Sequence, residues 1–191
     1  MAKVQRGKQP KAKKKATSAG GRKRTTAATK TKGTPQKKAT AQTLTFRPRE
    51  KTDDAFIIEV TMQTLKEVYQ QSVGMELRED LVLEWTNQGD YTGIIERGGK
   101  PVGYYSYLEH VPNRWYIGAL VLTPDMQGQG IGQQIFAHIE QSAREQRIYM
   151  LEAHVQVENE AGLAFWTKQG FEKEGQPTRG SQLIRKTLEA R

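Results

Sequence analysis

The chain has no cysteine, which excludes a disulfide framework, a thiolate metal site and a cysteine nucleophile. Histidine is nearly as scarce. His110, His138 and His154 are the only three and span 44 residues, a spacing that matches no metal-ligand motif. No stretch approaches the ~20 apolar residues of a membrane span. The N-terminus carries basic charge without the apolar run that a secretory signal needs. A cytoplasmic protein with no metal and no membrane contact is the expectation.

Residues 1–43 lack more still. They contain no acid and no aromatic, and Val4 is the only large aliphatic between Met1 and Leu44. Such a segment cannot bury enough apolar surface to offset the entropy of ordering, so it reads as a disordered tail. Residues 1–49 carry 16 of the 30 Lys and Arg and none of the 21 acids, so residues 50–191 carry the other 14 against all 21 acids, a net of −7. An acidic domain, residues 44–191, therefore follows a basic tail. Lys11-Ala-Lys-Lys-Lys15 and Arg22-Lys-Arg24 suit non-specific nucleic-acid binding by counterion release. With no aromatic to stack on bases, no sequence preference is expected. A merely solubilising extension is the alternative.

What the domain does have is punctuated by glycine. The apolar run Ile117–Leu122 reads as a buried strand, and Thr123-Pro124-Asp125 ends it because proline cannot donate to a sheet ladder. Gly128, Gly130 and Gly132 follow at alternate positions. Ile131, Ile135 and Ile139 then mark one stripe of an amphipathic helix. Strand, glycine turn and helix start place bare N–H groups where they can face an anion, helped by a helix dipole equivalent to roughly +0.5 charge. The spacing is neither the Rossmann Gly-x-Gly-x-x-Gly nor a P-loop, which needs a Lys-Ser/Thr pair.

The remaining elements follow from pattern. Leu44–Arg49 reads as a strand cut short by Pro48. A helix capped at Thr52, Asp53 or Asp54 could run to about Ser72, with Phe56, Val60 and Val68 on one face, although the run Ala55–Val60 could instead be a strand. A second helix, about Met75 to Trp85, has Leu77, Leu81 and Trp85 four apart. Tyr91–Glu96 and Val102–Leu108 form a hairpin about Arg97-Gly-Gly-Lys-Pro101, with Tyr105 and Tyr107 on one face and Tyr104 on the other. After the glycine helix come a strand (149–157), a helix (159–169) and two strands (171–176 and 181–188). The order β-α-α-β-β-β-α-β-α-β-β is mixed α/β.

Two blocks resemble one family. Gln127-x-x-Gly130-x-Gly132 is similar to the Gln/Arg-x-x-Gly-x-Gly/Ala acyl-CoA pyrophosphate loop of the GCN5-related N-acetyltransferases (GNAT). Asn159-Glu-Ala-Gly-Leu-Ala-Phe-Trp-Thr-Lys-Gln-Gly-Phe171, 32 residues beyond Gln127, is similar to the family's Asn-x-x-Ala-x-x-Phe-Tyr-x-Lys-x-Gly-Phe. The resemblance covers roughly Thr43 to Arg191. It implies a three-layer fold around a central mixed sheet and acetyl transfer from acetyl-CoA to an amine by direct attack in a ternary complex.

Residue by residue, the resemblance implies that the backbone of Leu120, Val121 and Leu122 pairs with the pantetheine arm. A bulge there would aim an N–H at the thioester oxygen. The amides of Gln127, Gly128, Gln129, Gly130, Ile131 and Gly132 would cradle the pyrophosphate. Asn159 would contact the pantetheine or cap the next helix, and Phe165 and Trp166 would pack beside the cofactor. The two helices before the hairpin would cover the acceptor side.

Relatives often protonate the leaving thiolate with a tyrosine at the position of Trp166, which here has no proton to give. Relatives that acetylate protein N-termini place a glutamate base five residues before the Asn, and that position is His154. An imidazole is a sensible base near neutrality; a satisfied, half-buried strand histidine is the alternative. Glu152, two residues earlier on the same face, and Glu109 and His110 are further candidates, while His138 reads as surface. The acidic domain favours a cationic amine, and the tail's own lysines are within conceivable reach. A non-catalytic acetyl-CoA sensor or scaffold, held on nucleic acid by the tail, is the rival function.

Overall fold

The computed structural model describes residues 43–188. The expected disordered tail, with its nucleic-acid reading, lies outside the described residues but for Thr43. The elements are β1 (Leu44–Pro48), α1 (Asp54–Val73), α2 (Glu79–Gln88), β2 (Tyr91–Arg97), β3 (Lys100–Val111), β4 (Arg114–Leu122), α3 (Ile131–Glu145), β5 (Met150–Gln156), α4 (Glu160–Lys168), β6 (Glu172–Thr178) and β7 (Ser181–Thr187). They form one sheet in the order β1-β2-β3-β4-β5-β7-β6. Every pairing is antiparallel except β4 with β5, which the α3 crossover makes parallel. The order of elements is the expected one. No described helix is long and apolar enough to cross a membrane.

Two apolar layers sandwich the sheet. On one face α3 and α4 pack Ile135, Phe136, Ile139 and Trp166 against Tyr105, Trp115, Ile117, Leu151 and Val155. On the other, α1 and α2 bring Ile57, Val60 and Val82 onto Ile94, Tyr104 and Val121. Tyr104 thus faces away from Tyr105 and Tyr107, as strand alternation requires. The β2–β3 turn is two residues long, with Gly98 at φ 62° and Gly99 at φ 74°, a left-handed pair that suits the strand twist.

Three local readings shift. The second helix starts at Glu79, not Met75. Gly74 caps α1 in the left-handed region and Arg78 is extended, so Leu77 is a buried anchor ahead of the helix. Its inward face is Val82 and Thr86, and Trp85 is left 40% exposed. The third is His138, which is not a plain surface residue: its ring stacks on Phe46 at 4.1 Å, and burial there lowers its pKa.

The start of α1 is fixed by ions. Asp53 is buried, takes two hydrogen bonds from the Arg47 guanidinium (2.7 and 2.8 Å) and one from the Glu50 amide (2.7 Å). The Arg47 hydrogen bonds hold its pKa below the ordinary carboxylate value, against the opposing effect of burial. A group depressed in the folded state stabilises above its unfolded pKa and loses that contribution as pH falls through the folded one. Asp53→Asn is therefore expected to lower the unfolding free energy by about 2 kcal/mol near neutrality, with Arg47 partly exposed and so partly screened. The deficit should shrink below about pH 4, and urea unfolding across pH checks both the size and the trend.

Candidate active site

The site begins where two strands part. β4 and β5 pair only from Arg114 to Ile117 against Met150 to Ala153. Beyond that point β4 stays on β3 and β5 stays on β7. The inner edges of residues 118–122 and 154–156 therefore have no strand between them. A bulge starts the separation: Ser106 pairs with Ala119 but Tyr107 with Ile117, so Gly118 is the extra residue. It lies two residues before the Leu120–Leu122 stretch where the sequence placed it.

The resulting cleft encloses about 740 Å³, part of it open to solvent. Leu120, Val121, His154, Asn159 and Trp166 line it from the sheet and α4, and Thr61, Leu65, Val82 and Trp85 from α1 and α2. Asn159 caps α4 by accepting from the Gly162 amide at 2.9 Å. Trp166 is 8% exposed, edge-on to Phe136 and Phe171. It is a wall of the cleft with no ionisable proton.

The glycine loop leaves the end of β4. A single helical turn, Pro124–Met126, turns the chain, and Gln127 ties the loop back by donating to the Leu122 carbonyl at 3.0 Å. Gly128 (φ 70°) and Gly130 (φ 75°) are both left-handed. A Cβ built on either would meet nothing within 4 Å, so this face of the loop is open rather than packed. Gln129 hydrogen-bonds the Asp125 carbonyl and lies near Arg97. Ile131 is buried at the first turn of α3, and Gly132 lets the Phe165 ring approach to 3.1 Å from where a Cβ would stand. Free first-turn amides, two left-handed glycines and a helix N-terminus suit a phosphate group. Beside them, the unpaired edge of β4 suits an extended amide-bearing chain. The residues present fit acyl-CoA.

The four candidate acid–base groups separate. His154 is exposed at the cleft wall, with Nδ1 3.2 Å from the Tyr116 hydroxyl. Desolvation of the ring lowers its pKa, and the Glu152 charge opposes that shift. Tyr116 is held neutral, its pKa raised by burial. Glu152, by contrast, is 4% exposed and does not line the cleft. One of its oxygens takes the Arg185 Nε hydrogen bond at 2.6 Å and the other lies 3.2 Å from His110 Nε2. Glu109 is exposed at the β3–β4 hairpin and accepts from the Asn113 amide at 2.7 Å. Neither carboxylate lines the cleft: sheet register sets Glu152 against Arg185, and a turn sets Glu109 against Asn113.

Sequence reasoning missed Thr61, Ser106 and Tyr116. They are isolated polar residues in apolar surroundings, and only packing against distant elements gives them a place. Thr61 Oγ1 lies 2.8 Å from the Tyr104 hydroxyl, which burial pushes up to about 12. Among the described residues no group of His, Asp and Glu is placed to hold a metal ion.

The model of the acetyltransferase (GNAT) family matches residues 58–171. No curated protein matches the sequence. Among solved structures, the chain is similar to the PaiA N-acetyltransferase of Thermoplasma acidophilum in complex with coenzyme A. That match has TM-score 0.62 and 18% identity, covering 76% of this chain and 99% of that one. It is also similar to a ribosomal-protein-alanine N-acetyltransferase of Brucella melitensis, with TM-score 0.58 and 20% identity over 75% and 99% of the two chains. A third similar structure is yncA of Salmonella typhimurium with its cofactor acetyl-CoA, at TM-score 0.58 and 19% identity over 77% and 95%.

Proposed function

The chain belongs to the acetyltransferase (GNAT) family, whose cosubstrate is acetyl-CoA, and from that premise we propose that residues 44–191 transfer an acetyl group directly to an amine. The observation that carries this reading is the cleft itself. The strands part beside a glycine loop open to an anion, and His154 stands on the wall between.

Acetyl-CoA supplies a thioester carbonyl carbon. The chain's residues do the rest. Amides of Gln127 to Gly132 hold the pyrophosphate, and the free edge of Leu120, Val121 and Leu122 takes the pantetheine amides. Asn159, Phe165 and Trp166 fix the far wall. At the bulge, an N–H of the Gly118–Ala119 backbone can donate to the carbonyl oxygen as it gains charge. His154 accepts the amine proton at Nε2, with its Nδ1–H donating to the Tyr116 hydroxyl, which sets the tautomer. A nitrogen–carbon bond forms, the carbon–sulfur bond breaks, and the proton rests on the imidazole. The thiolate, with a pKa near 8.5 for an ordinary thiol, leaves without an acid at Trp166.

Acetyl-CoA consumption by the full chain, followed as CoA release over amino acids, amino sugars, polyamines and N-terminal peptides, tests this. Release that depends on one amine class is expected. Silence across the panel with acetyl-CoA still bound would turn the reading into a non-catalytic binding module.

A further inference from the structure

The whole-domain charge suggested a cationic acceptor, but the cleft is not built for one with several charges. We propose that the acceptor is a monoamine on an uncharged, largely apolar body, held at its nitrogen by Ser106 and His154. This rests on the acetyltransferase reading above and names the substrate class of that same site.

Charge comes first. Among the described residues that line the cleft there is no Asp, Glu, Lys or Arg. The nearby Glu152 is already paired with Arg185 and lies outside the lining. A second ammonium drawn into this space would lose its hydration with no carboxylate to replace it, which disfavours polyamines and amino sugars. The net acidity of the domain acts on approach, not on seating.

Hydrogen-bonding capacity narrows the choice further. Thr61 Oγ1 donates to the Ile57 carbonyl at 2.7 Å and meets Tyr104 at 2.8 Å, and Thr86 Oγ1 donates to the Val82 carbonyl at 2.7 Å. Those hydroxyls are committed within the protein. Ser106 is 4% exposed and lines the cleft, and no described residue hydrogen-bonds its hydroxyl. Its Oγ lies 3.0 Å from where a Cβ on Gly118 would stand, directly beside the bulge. The Ser106 hydroxyl is not sealed in the protein but open to the cleft where the strands part, and so is available to a ligand atom. With His154 Nε2 it provides two polar points for one nitrogen.

Gln156 and Asn159 place side-chain amides on the side of β5 and α4, while the α1 and α2 side of the wall is otherwise apolar. Leu65 and Val82 line it, and Trp85, its ring 5.6 Å from Tyr69, stands 40% exposed at its edge. That surface suits an aromatic or branched aliphatic body.

The test compares phenylethylamine with spermidine as acceptors for the full chain at saturating acetyl-CoA, at low and high salt. We expect kcat/KM to favour phenylethylamine by about tenfold or more, a preference of the size a pocket gives for a mismatched polar group, with little dependence on salt. A preference for spermidine would overturn the proposal. Ser106→Ala should raise the phenylethylamine KM about tenfold and leave acetyl-CoA affinity unchanged. An unchanged KM would remove Ser106 from the acceptor site. Leu65→Glu, checked for its folded circular dichroism spectrum, should move the preference toward spermidine, and an unmoved preference counts against a neutral cleft as the selector. If neither these two amines nor any of the wider panel above is turned over while acetyl-CoA binds, the catalytic reading fails. The acceptor class is then still decided by which amine shifts the nuclear magnetic resonances of the acetyl-CoA-loaded chain.

Discussion

Gly130→Asp is expected to lose acetyl-CoA binding while the protein stays folded. Gly130 sits at the N-cap of α3 with φ 75°, a region that aspartate tolerates better than most residues. An N-cap aspartate is also welcome to helix amides, so α3 itself is not put at risk. Nothing within 4 Å opposes the new Cβ, and the carboxylate projects into the open face of the loop. That is the space we assign to the pyrophosphate. Two like charges about 4 Å apart at an effective dielectric of about 20 repel by about 4 kcal/mol, roughly a thousandfold in affinity. Calorimetric titration with acetyl-CoA reads the loss, and a thermal melt reads the fold. Gly130→Ala separates the two causes, since it keeps the backbone strain but adds no charge, and should weaken binding only mildly. If Gly130→Asp bound acetyl-CoA normally, the loop would not be the phosphate cradle.

His154→Ala is expected to lower kcat by about a hundredfold or more, the low end of what a positioned base contributes. Acetyl-CoA affinity should stay close to wild type, because the residue stands on the cleft wall away from the glycine loop. The pH dependence carries the sharper signal. Desolvation holds the imidazole below its ordinary value of about 6.5. The neutral ring is the active form, so wild-type activity should rise with pH through that lowered pKa, in addition to the rise set by the amine's own deprotonation at higher pH. In His154→Ala this acid limb should vanish, leaving only the rise set by the amine's own deprotonation. Tyr116→Phe removes the 3.2 Å partner of Nδ1 and should shift the limb with a smaller fall in kcat. A pH profile identical in wild type and His154→Ala would take His154 out of the mechanism.

How much of this could be read beforehand depended on range. The glycine loop, the hairpin about Gly98 and Gly99 and the Asn159 cap are each encoded within a few neighbouring residues, and the structure places each where the sequence suggested, the hairpin turn being tighter than the five-residue stretch read there. The start of α2 was misread because Leu77 extends the helical apolar period past the point where Gly74 and Arg78 break the backbone. Glu152 looked available from its spacing to His154. Only the pairing of β5 with β7 sets it against Arg185, 33 residues on. His138 looked like surface until β1 delivered Phe46 to its ring. Ser106 and Tyr116 carry no local signal at all. A serine in an aromatic strand and a tyrosine beside a tryptophan become informative only once the bulge and the register of β4 fix what faces them.

The single extra residue at Gly118 also divides β4 into two halves that are out of phase. Before it, the odd positions Trp115 and Ile117 belong to the α3 and α4 layer; after it, Leu120 and Leu122, at even positions, belong to that layer while Val121 faces α1 and α2. Deleting Gly118 would therefore do more than shorten a strand. It would force one half of β4 to exchange inside for outside, so that either Trp115 or Leu122 must leave its layer. The cleft cannot be closed by a one-residue loss without dismantling the sandwich around it. The opening between β4 and β5 is in this sense locked in by the arithmetic of alternation, and point substitutions in the lining can retune what enters without threatening that it opens.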